Sequence, residues 1–144
     1  MKIYLDNCCF NRLFDDQKQL RIKLETEAKL SIQEDIRSGS YQLIWSYMLD
    51  YENSRNPFQE RREQITKWRV YSKTDIEEDE KLVAIATRVN QHGIKKMDSL
   101  HIACAITAGA DYFLTTDDEI LKRAIHIQGI RITDPIGFIK EVLS

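Results

Sequence analysis

Short apolar runs and helix-period segments alternate along the whole chain, and this alternation constrains the fold more than any single residue does. Lys2-Ile3-Tyr4-Leu5 reads as a strand buried on both faces, because its apolar residues are continuous. A turn through Asp6-Asn7-Cys8-Cys9 to Asp15-Asp16 should follow it. Over residues 17–38, Leu20, Leu24, Ala28, Ile32 and Ile36 recur every four residues, which predicts an amphipathic helix closed by Gly39. Residues 41–45 form the next apolar run, and Ser46 is placed to cap a short helix through Met48, Leu49 and Glu52. Asn56-Pro57 breaks that helix and opens another, with Phe58, Ile65 and Trp68 as its apolar stripe and Arg62 and Arg69 beside it. An edge strand over residues 71–75 and an amphipathic helix over 77–90 with Leu82, Ile85, Ala86 and Val89 facing inward come next. The helix opened by Asp98 consists of small and apolar residues up to Gly109, so it should be buried nearly all round. Strands over 112–114 and 130–132 follow, and Asp134-Pro135 caps a C-terminal helix. Strand and helix alternating without a linker, repeat or low-complexity segment imply one α/β domain over residues 1–144 with a mainly parallel sheet.

Composition narrows the function classes. A chain of 144 residues can bury roughly 68–70% of its unfolded surface around one core. No segment approaches the uninterrupted apolar length of a membrane span, and acid and Asn arrive at positions 6 and 7 where a signal peptide would continue apolar. A cytoplasmic location without membrane association is expected. The three cysteines, Cys8, Cys9 and Cys104, are odd in number and two are adjacent, so free buried thiols are expected. His92, His101 and His126 are scattered singly and form no zinc pattern. The net charge of −2 excludes a domain that coats nucleic acid by global charge, so any such partner must be held by local basic patches or by metal.

In parallel sheets the ligand crevice lies at the carboxyl ends of the strands. Asp6 and Asp117 both follow strands and can project there, Asp98 begins a helix, and Glu52 lies on the short helix after the second strand. Each has an ordinary alternative. Asp6 can shape a turn, Asp98 can be an N-cap, and Thr116 with Glu119 matches a capping box around Asp117. Glu52 competes with Asp50, Glu25 and Glu27. Jointly, four carboxylates in one crevice would repel one another unless a cation neutralised them. Magnesium or manganese prefers such oxygen donors and can promote phosphodiester cleavage. Arg12, Arg55, Arg62, Arg69, Lys95 and Lys96 are candidates for phosphate contact, with a solvated or dimer-facing surface as the alternative.

Three stretches, IYLDNCCFNR from Ile3, SYMLDYENSRNP from Ser46 and KKMDSLHIACAITAGADYFLTTDDEIL from Lys95, together resemble the PIN-domain nucleases, in particular the small prokaryotic members that include VapC-type toxins. The resemblance implies a three-layer α/β/α sandwich around a mainly parallel twisted sheet. It implies a ribonuclease whose Mg2+ or Mn2+ is held by Asp6, Glu52, Asp98 and Asp117, with Asn7, Thr116 and Asp118 in support. It also implies a toxin with an RNA substrate, a cognate antitoxin and a homodimeric state. His101 lies three residues after Asp98 on the same helix and can reach the site, with a structural imidazole as the simpler reading. The rival function is a non-catalytic module of the same fold that binds metal, RNA or a protein. An aspartyl-phosphate mechanism is discounted, because Cys8 stands where it would need a second acid.

Overall fold

In the computed structural model, which describes residues 1–143, all five expected strands form and pair in parallel. They are β1 (Lys2–Leu5), β2 (Gln42–Ser46), β3 (Ser72–Ile76), β4 (Tyr112–Leu114) and β5 (Arg131–Thr133). Their spatial order is β3-β2-β1-β4-β5. The chain steps outward from β1 to β3, then crosses back to build β4 and β5 on the other side. The reversal lies between β1 and β4, which is where ligands enter such sheets.

Ile3, Tyr4 and Leu5 have no exposed surface, as the continuous apolar run requires of a central strand. In register, Ile3 faces Leu43 on one side and Tyr112 on the other, so the first strand is the axis of the sheet. At the edge, β3 carries alternating half-buried and exposed residues and is the most polar strand.

Eight helices cover the sheet, giving the α/β/α layering. They are α1 (Asn7–Asn11), α2 (Leu20–Arg37), α3 (Tyr47–Ser54), α4 (Gln59–Thr66), α5 (Glu80–Asn90), α6 (Lys96–Thr107), α7 (Asp118–Arg123) and α8 (Pro135–Leu143). Helix α5 packs on α6, and α2 packs on α8. Ser46 caps α3 as its sequence position predicted, with its Oγ accepting the Leu49 N–H at 3.3 Å. Gly93, at φ +87°, turns the chain from α5 toward α6 in a conformation that favours glycine. Ser99, His101, Ile102, Ala103, Cys104 and Ala105 of α6 are buried, in keeping with its small-residue composition. Among the described residues no helix is long and apolar enough to cross a membrane, and all three cysteines are free.

Two local expectations change. The stretch after β1 is not an open turn but α1 followed by a 3₁₀ turn (Arg12–Phe14), because the Asp6 side chain caps it. The second change concerns α2. A row of residues spaced by four drifts about 40° per step around a helix with 3.6 residues per turn. Leu20 and Leu24, at the start of the row, therefore rotate out of the core and are 69% and 45% exposed. Ala28, Ile32 and Ile36 are buried as expected, and Glu25, Thr26, Lys29 and Gln33 join them on the covered face.

Four of those seven residues are polar or charged, and their partners differ. Glu25 lies between Arg12 (3.0 Å) and Arg21 (3.5 Å). Lys29 is 2% exposed, and among the described residues it has neither a carboxylate partner nor a hydrogen bond. Burial pushes its ammonium down to about 8, opposed only by the charge of Cys9. A lysine lowered in the fold weakens the fold while it is charged, and that loss is recovered as pH rises from about 8 to the ordinary value of 10.5. Lys29→Met should therefore be more stable than the natural protein near pH 7 by about 2–3 kcal/mol. The difference should shrink between about pH 8 and 10.5, as urea unfolding at several pH values will measure.

Candidate metal centre

The side chain at the end of the central strand is fixed from three directions. Asp6 is 5% exposed, and its main-chain N–H donates to the Leu114 carbonyl at 2.9 Å, which ties the end of β1 to the end of β4. Its Oδ1 accepts the Asn7 N–H at 2.8 Å, and its Oδ2 accepts the Thr115 hydroxyl at 2.9 Å. The Cys8 thiol approaches the same Oδ2 at 3.5 Å. Asn7 thus supports the acid through its main chain, and its own buried Oδ1 has no hydrogen-bond partner.

Glu52, half-buried on α3, meets α6 through His101. The imidazole Nε2 lies 2.5 Å from Glu52 Oε1, and Nδ1 lies 2.6 Å from the Tyr4 hydroxyl. Tyr4 in turn is 2.6 Å from Ser46 Oγ, the atom that also caps α3. Carboxylate and imidazole atoms of Asp6, Glu52 and His101 all lie within 4.8 Å of one another. Burial alone would lower the His101 pKa, but the hydrogen bond to Glu52 and the charges of Asp6, Glu52 and Asp98 outweigh it and raise the value. Nε2 donates to the Glu52 carboxylate, Nδ1 and the Tyr4 hydroxyl share a hydrogen bond, and the Tyr4 hydroxyl shares another with Ser46 Oγ. Each member of this buried chain has its partner, and the chain fixes the rotamer of Glu52.

The competing acids are used elsewhere. Asp50 accepts the indole N–H of Trp45 at 2.9 Å, Glu25 pairs with two arginines, and Glu27 is exposed.

Asp98 is not the N-cap of its helix. It is the third residue of α6, and Lys95 occupies the capping position. Its carboxyl is pushed up to about 6, first by burial, then by the charge of Asp6 and that of Asp117, with Glu52 adding and His101 opposing. Asp6 is also raised, by burial first and by Glu52, against the opposing charge of His101. The four acids therefore share one electrostatic field at the carboxyl edge of the sheet.

Asp117 is itself the N-cap of α7. Its Oδ1 accepts the N–H groups of Glu119 (2.9 Å) and Ile120 (3.4 Å). The capping-box reading thus located the helix start but shifted the capping residue from Thr116 to Asp117. Thr115 Oγ1 accepts the Asp117 N–H at 3.1 Å while donating to Asp6, so one hydroxyl links the two acids. Thr116 contributes its carbonyl, which accepts from Arg21. Asp118 is exposed and held in a two-pronged pair by Arg21, at 2.7 and 3.0 Å.

Thr115 and Tyr4 escaped the sequence reading, since a strand-end Thr and a buried strand Tyr are ordinary core residues. Only the pairing of β1 with β4 brings Thr115 over Asp6.

The proposed phosphate-contact residues separate into two groups. Arg12 pairs with Asp15 and Glu25, Arg69 pairs with Asp75, and Arg62 donates to the Asn56 carbonyl. Arg55, which lies over the Tyr51 ring at 5.7 Å, and Lys95 and Lys96 form no ion pair among the described residues. Arg55 directly follows the helix of Glu52, and the two lysines precede Asp98.

The donor set suits a hard divalent cation. It is rich in carboxylate oxygens, one of its carboxyls is raised by its neighbours, and an unpartnered amide oxygen, Asn7 Oδ1, is buried beside it.

Comparison with known proteins bears on the fold that carries this site. The family model for the PIN domain matches residues 3–126. Among solved structures, the chain is similar to VapBC2 from Rickettsia felis bound to a DNA fragment from its promoter, at 14% identity, 93% coverage of this chain, 98% of that chain and a TM-score of 0.60. FitAcB from Neisseria gonorrhoeae aligns at 16% identity, covering 92% and 97% of the two chains, with a TM-score of 0.54. DNA-bound VapBC from Salmonella typhimurium aligns at 17% identity, covering 94% and 98%, with a TM-score of 0.53. No curated protein matches.

A carboxyl raised to about 6 weakens the fold while it is charged, from its folded pKa upward, and the deficit disappears as pH falls toward the ordinary value of 3.8. Without metal, Asp98→Asn should therefore melt higher than the natural protein near neutral pH. The expected gain is about 1–2 kcal/mol after allowing for partial exposure, closing as the pH is lowered from about 6 toward 3.8. Melts repeated with added magnesium or manganese should stabilise the natural protein far more than the variant.

Proposed function

The chain belongs to the PIN domain family, and on that premise we propose that it is a divalent-metal-dependent endoribonuclease acting as the toxin of a toxin–antitoxin pair. The observation that carries the reading is the shared field of Asp6, Glu52, Asp98 and Asp117 at the switch point of the parallel sheet, expressed in the raised carboxyl of Asp98. Resemblance to two VapBC assemblies bound to DNA supports a protein partner of the antitoxin kind. The same reading includes an RNA substrate and a homodimer.

In this proposal Asp6, Asp98 and Asp117 would hold Mg2+ or Mn2+, and Glu52 would complete or position the set. The bound ion supplies Lewis acidity, neutralising the carboxylates and the charge that develops on the attacked phosphate. The protein's own residues do the positioning. Thr115 keeps Asp6 and the Asp117 backbone at a fixed separation. The Asp117 cap spends only Oδ1 on main-chain N–H groups, whereas Asp6 uses Oδ1 for the Asn7 N–H and Oδ2 for the Thr115 hydroxyl, which fixes its carboxylate plane. His101 holds Glu52 through Nε2 and is itself held by Tyr4. Asp98 retains a proton at its carboxyl in the more acidic part of the neutral range and must release it before a cation can bind. Arg55, Lys95 and Lys96 flank the acids and are the cations we assign to the RNA backbone.

Asp6→Asn and Asp98→Asn should each reduce magnesium- or manganese-dependent cleavage of single-stranded RNA by about 100-fold or more with the far-UV spectrum unchanged. Undiminished cleavage in both, or cleavage in EDTA, would refute the assignment. Metal stabilisation without cleavage of any RNA would point instead to a binding module. His101→Gln removes the imidazole that holds Glu52 and should weaken metal binding by about 10–100-fold, read by calorimetry with the metal alone.

A further inference from the structure

Away from the acidic centre, a cavity of about 140 Å3 opens between α2, α4 and the segment around α1. Its walls include Phe10, Phe14, Ile65 and Trp68, and its polar groups come chiefly from Lys29 and Gln33. Lys29 is 2% and Gln33 3% exposed, so both are core residues at the floor of a recess whose rim carries the exposed Leu13, Leu30 and Gln64. Gln33 Nε2 has no hydrogen-bond partner, and no carboxylate accompanies Lys29 among the described residues. The nearest acid on the same helix face, Glu25, is already committed to Arg12 and Arg21. Arg61 stands over the ring of Phe14, one of the wall residues, at 5.1 Å.

An unpaired ammonium and an unmatched amide N–H are both expensive to bury, and the same bound group can satisfy both. We propose that this cavity is a binding site for a small carboxylic acid with a flat apolar body, its carboxylate accepting from Lys29 Nζ and Gln33 Nε2.

Three features select that chemistry. The available donors match two carboxylate oxygens, whereas the several charged oxygens of a phosphate would be left short of donors among aromatic walls. The walls suit an apolar body, and a cavity near this size accommodates a benzene ring. The lowered ammonium, at about 8, is what a cation without its counter-charge should show. The acid could be a free small molecule or the aromatic C-terminus of a peptide, since both present the same group.

The test uses the whole chain and two probes, benzoate and a short peptide ending in a phenylalanine carboxylate, followed by calorimetry and by NMR. Saturable binding of benzoate alone identifies a free acid as the ligand, and binding of the peptide, with or without benzoate, identifies a chain terminus. In either case Lys29→Met should weaken binding by about 10-fold or more and Gln33→Leu by a smaller factor. The neutral analogue benzamide should bind correspondingly worse than benzoate. The proposal is overturned if neither probe saturates, if benzamide equals benzoate, or if the variants bind as the natural protein does. Gln33→Leu keeps the lysine in place and serves alone should Lys29→Met not fold.

Discussion

Repulsion among carboxylates at one end of a parallel sheet is the constraint around which this molecule is built. A parallel sheet with a reversal between β1 and β4 gathers whatever follows those strands into one crevice, and here acids follow both. Burial raises Asp6 and Asp98, and each acid worsens the position of the next. The fold tolerates this through local compensation. Main-chain N–H groups at the starts of α1 and α7 satisfy one oxygen each of Asp6 and Asp117, Thr115 joins the two, and His101 donates to Glu52. These devices reduce the repulsion without removing it, so the centre retains an excess of negative charge suited to a divalent ion.

The hydrogen-bond chain from Glu52 through His101 and Tyr4 to Ser46 links that chemistry to the core. Tyr4 belongs to the central strand and stacks on Phe113 of its neighbour at 5.3 Å, so its hydroxyl is held as firmly as the sheet itself. Ser46 ends β2 and starts α3, so one atom both receives the end of the relay and caps the helix that presents Glu52. The position of the half-buried Glu52 is thereby set by fully buried side chains, which gives it rigidity without closing off access. Helix α2 shows the contrary situation. There Lys29 and Gln33 are buried without such compensation, and the Gln33 amide N–H is unmatched beside open space.

Most elements were legible in the sequence because they depend on local pattern. The strands at Ile3-Tyr4-Leu5 and Tyr112-Phe113-Leu114, the Ser46 cap and the small-residue helix through Ala103 and Ala105 all followed from it. The inward face of α2 followed only in its later turns, at Ala28, Ile32 and Ile36. A spacing of four looks like a stripe over two turns but winds around the helix over five, and only packing decides which part of it is covered. The site behaved in the same way. Asp6, Glu52, Asp98 and Asp117 could be named from their places after strands and on helices, whereas Thr115, Tyr4 and the engagement of His101 could not, because their partners are distant in sequence.

By itself, then, the sequence determined the alternation of strand and helix, the parallel sheet, the buried first strand and the family to which the acids belong by motif. Those features rest on periodicity, capping and turn chemistry, which act within a few residues. Tertiary structure alone decided which acid on α3 turns inward, which threonine bridges Asp6 to Asp117, that Asp98 lies inside its helix beyond the cap, and that Lys29 is buried without a counter-charge. Each of these depends on which groups the sheet order and helix packing bring within hydrogen-bonding or Coulombic range, and no local pattern carries that information.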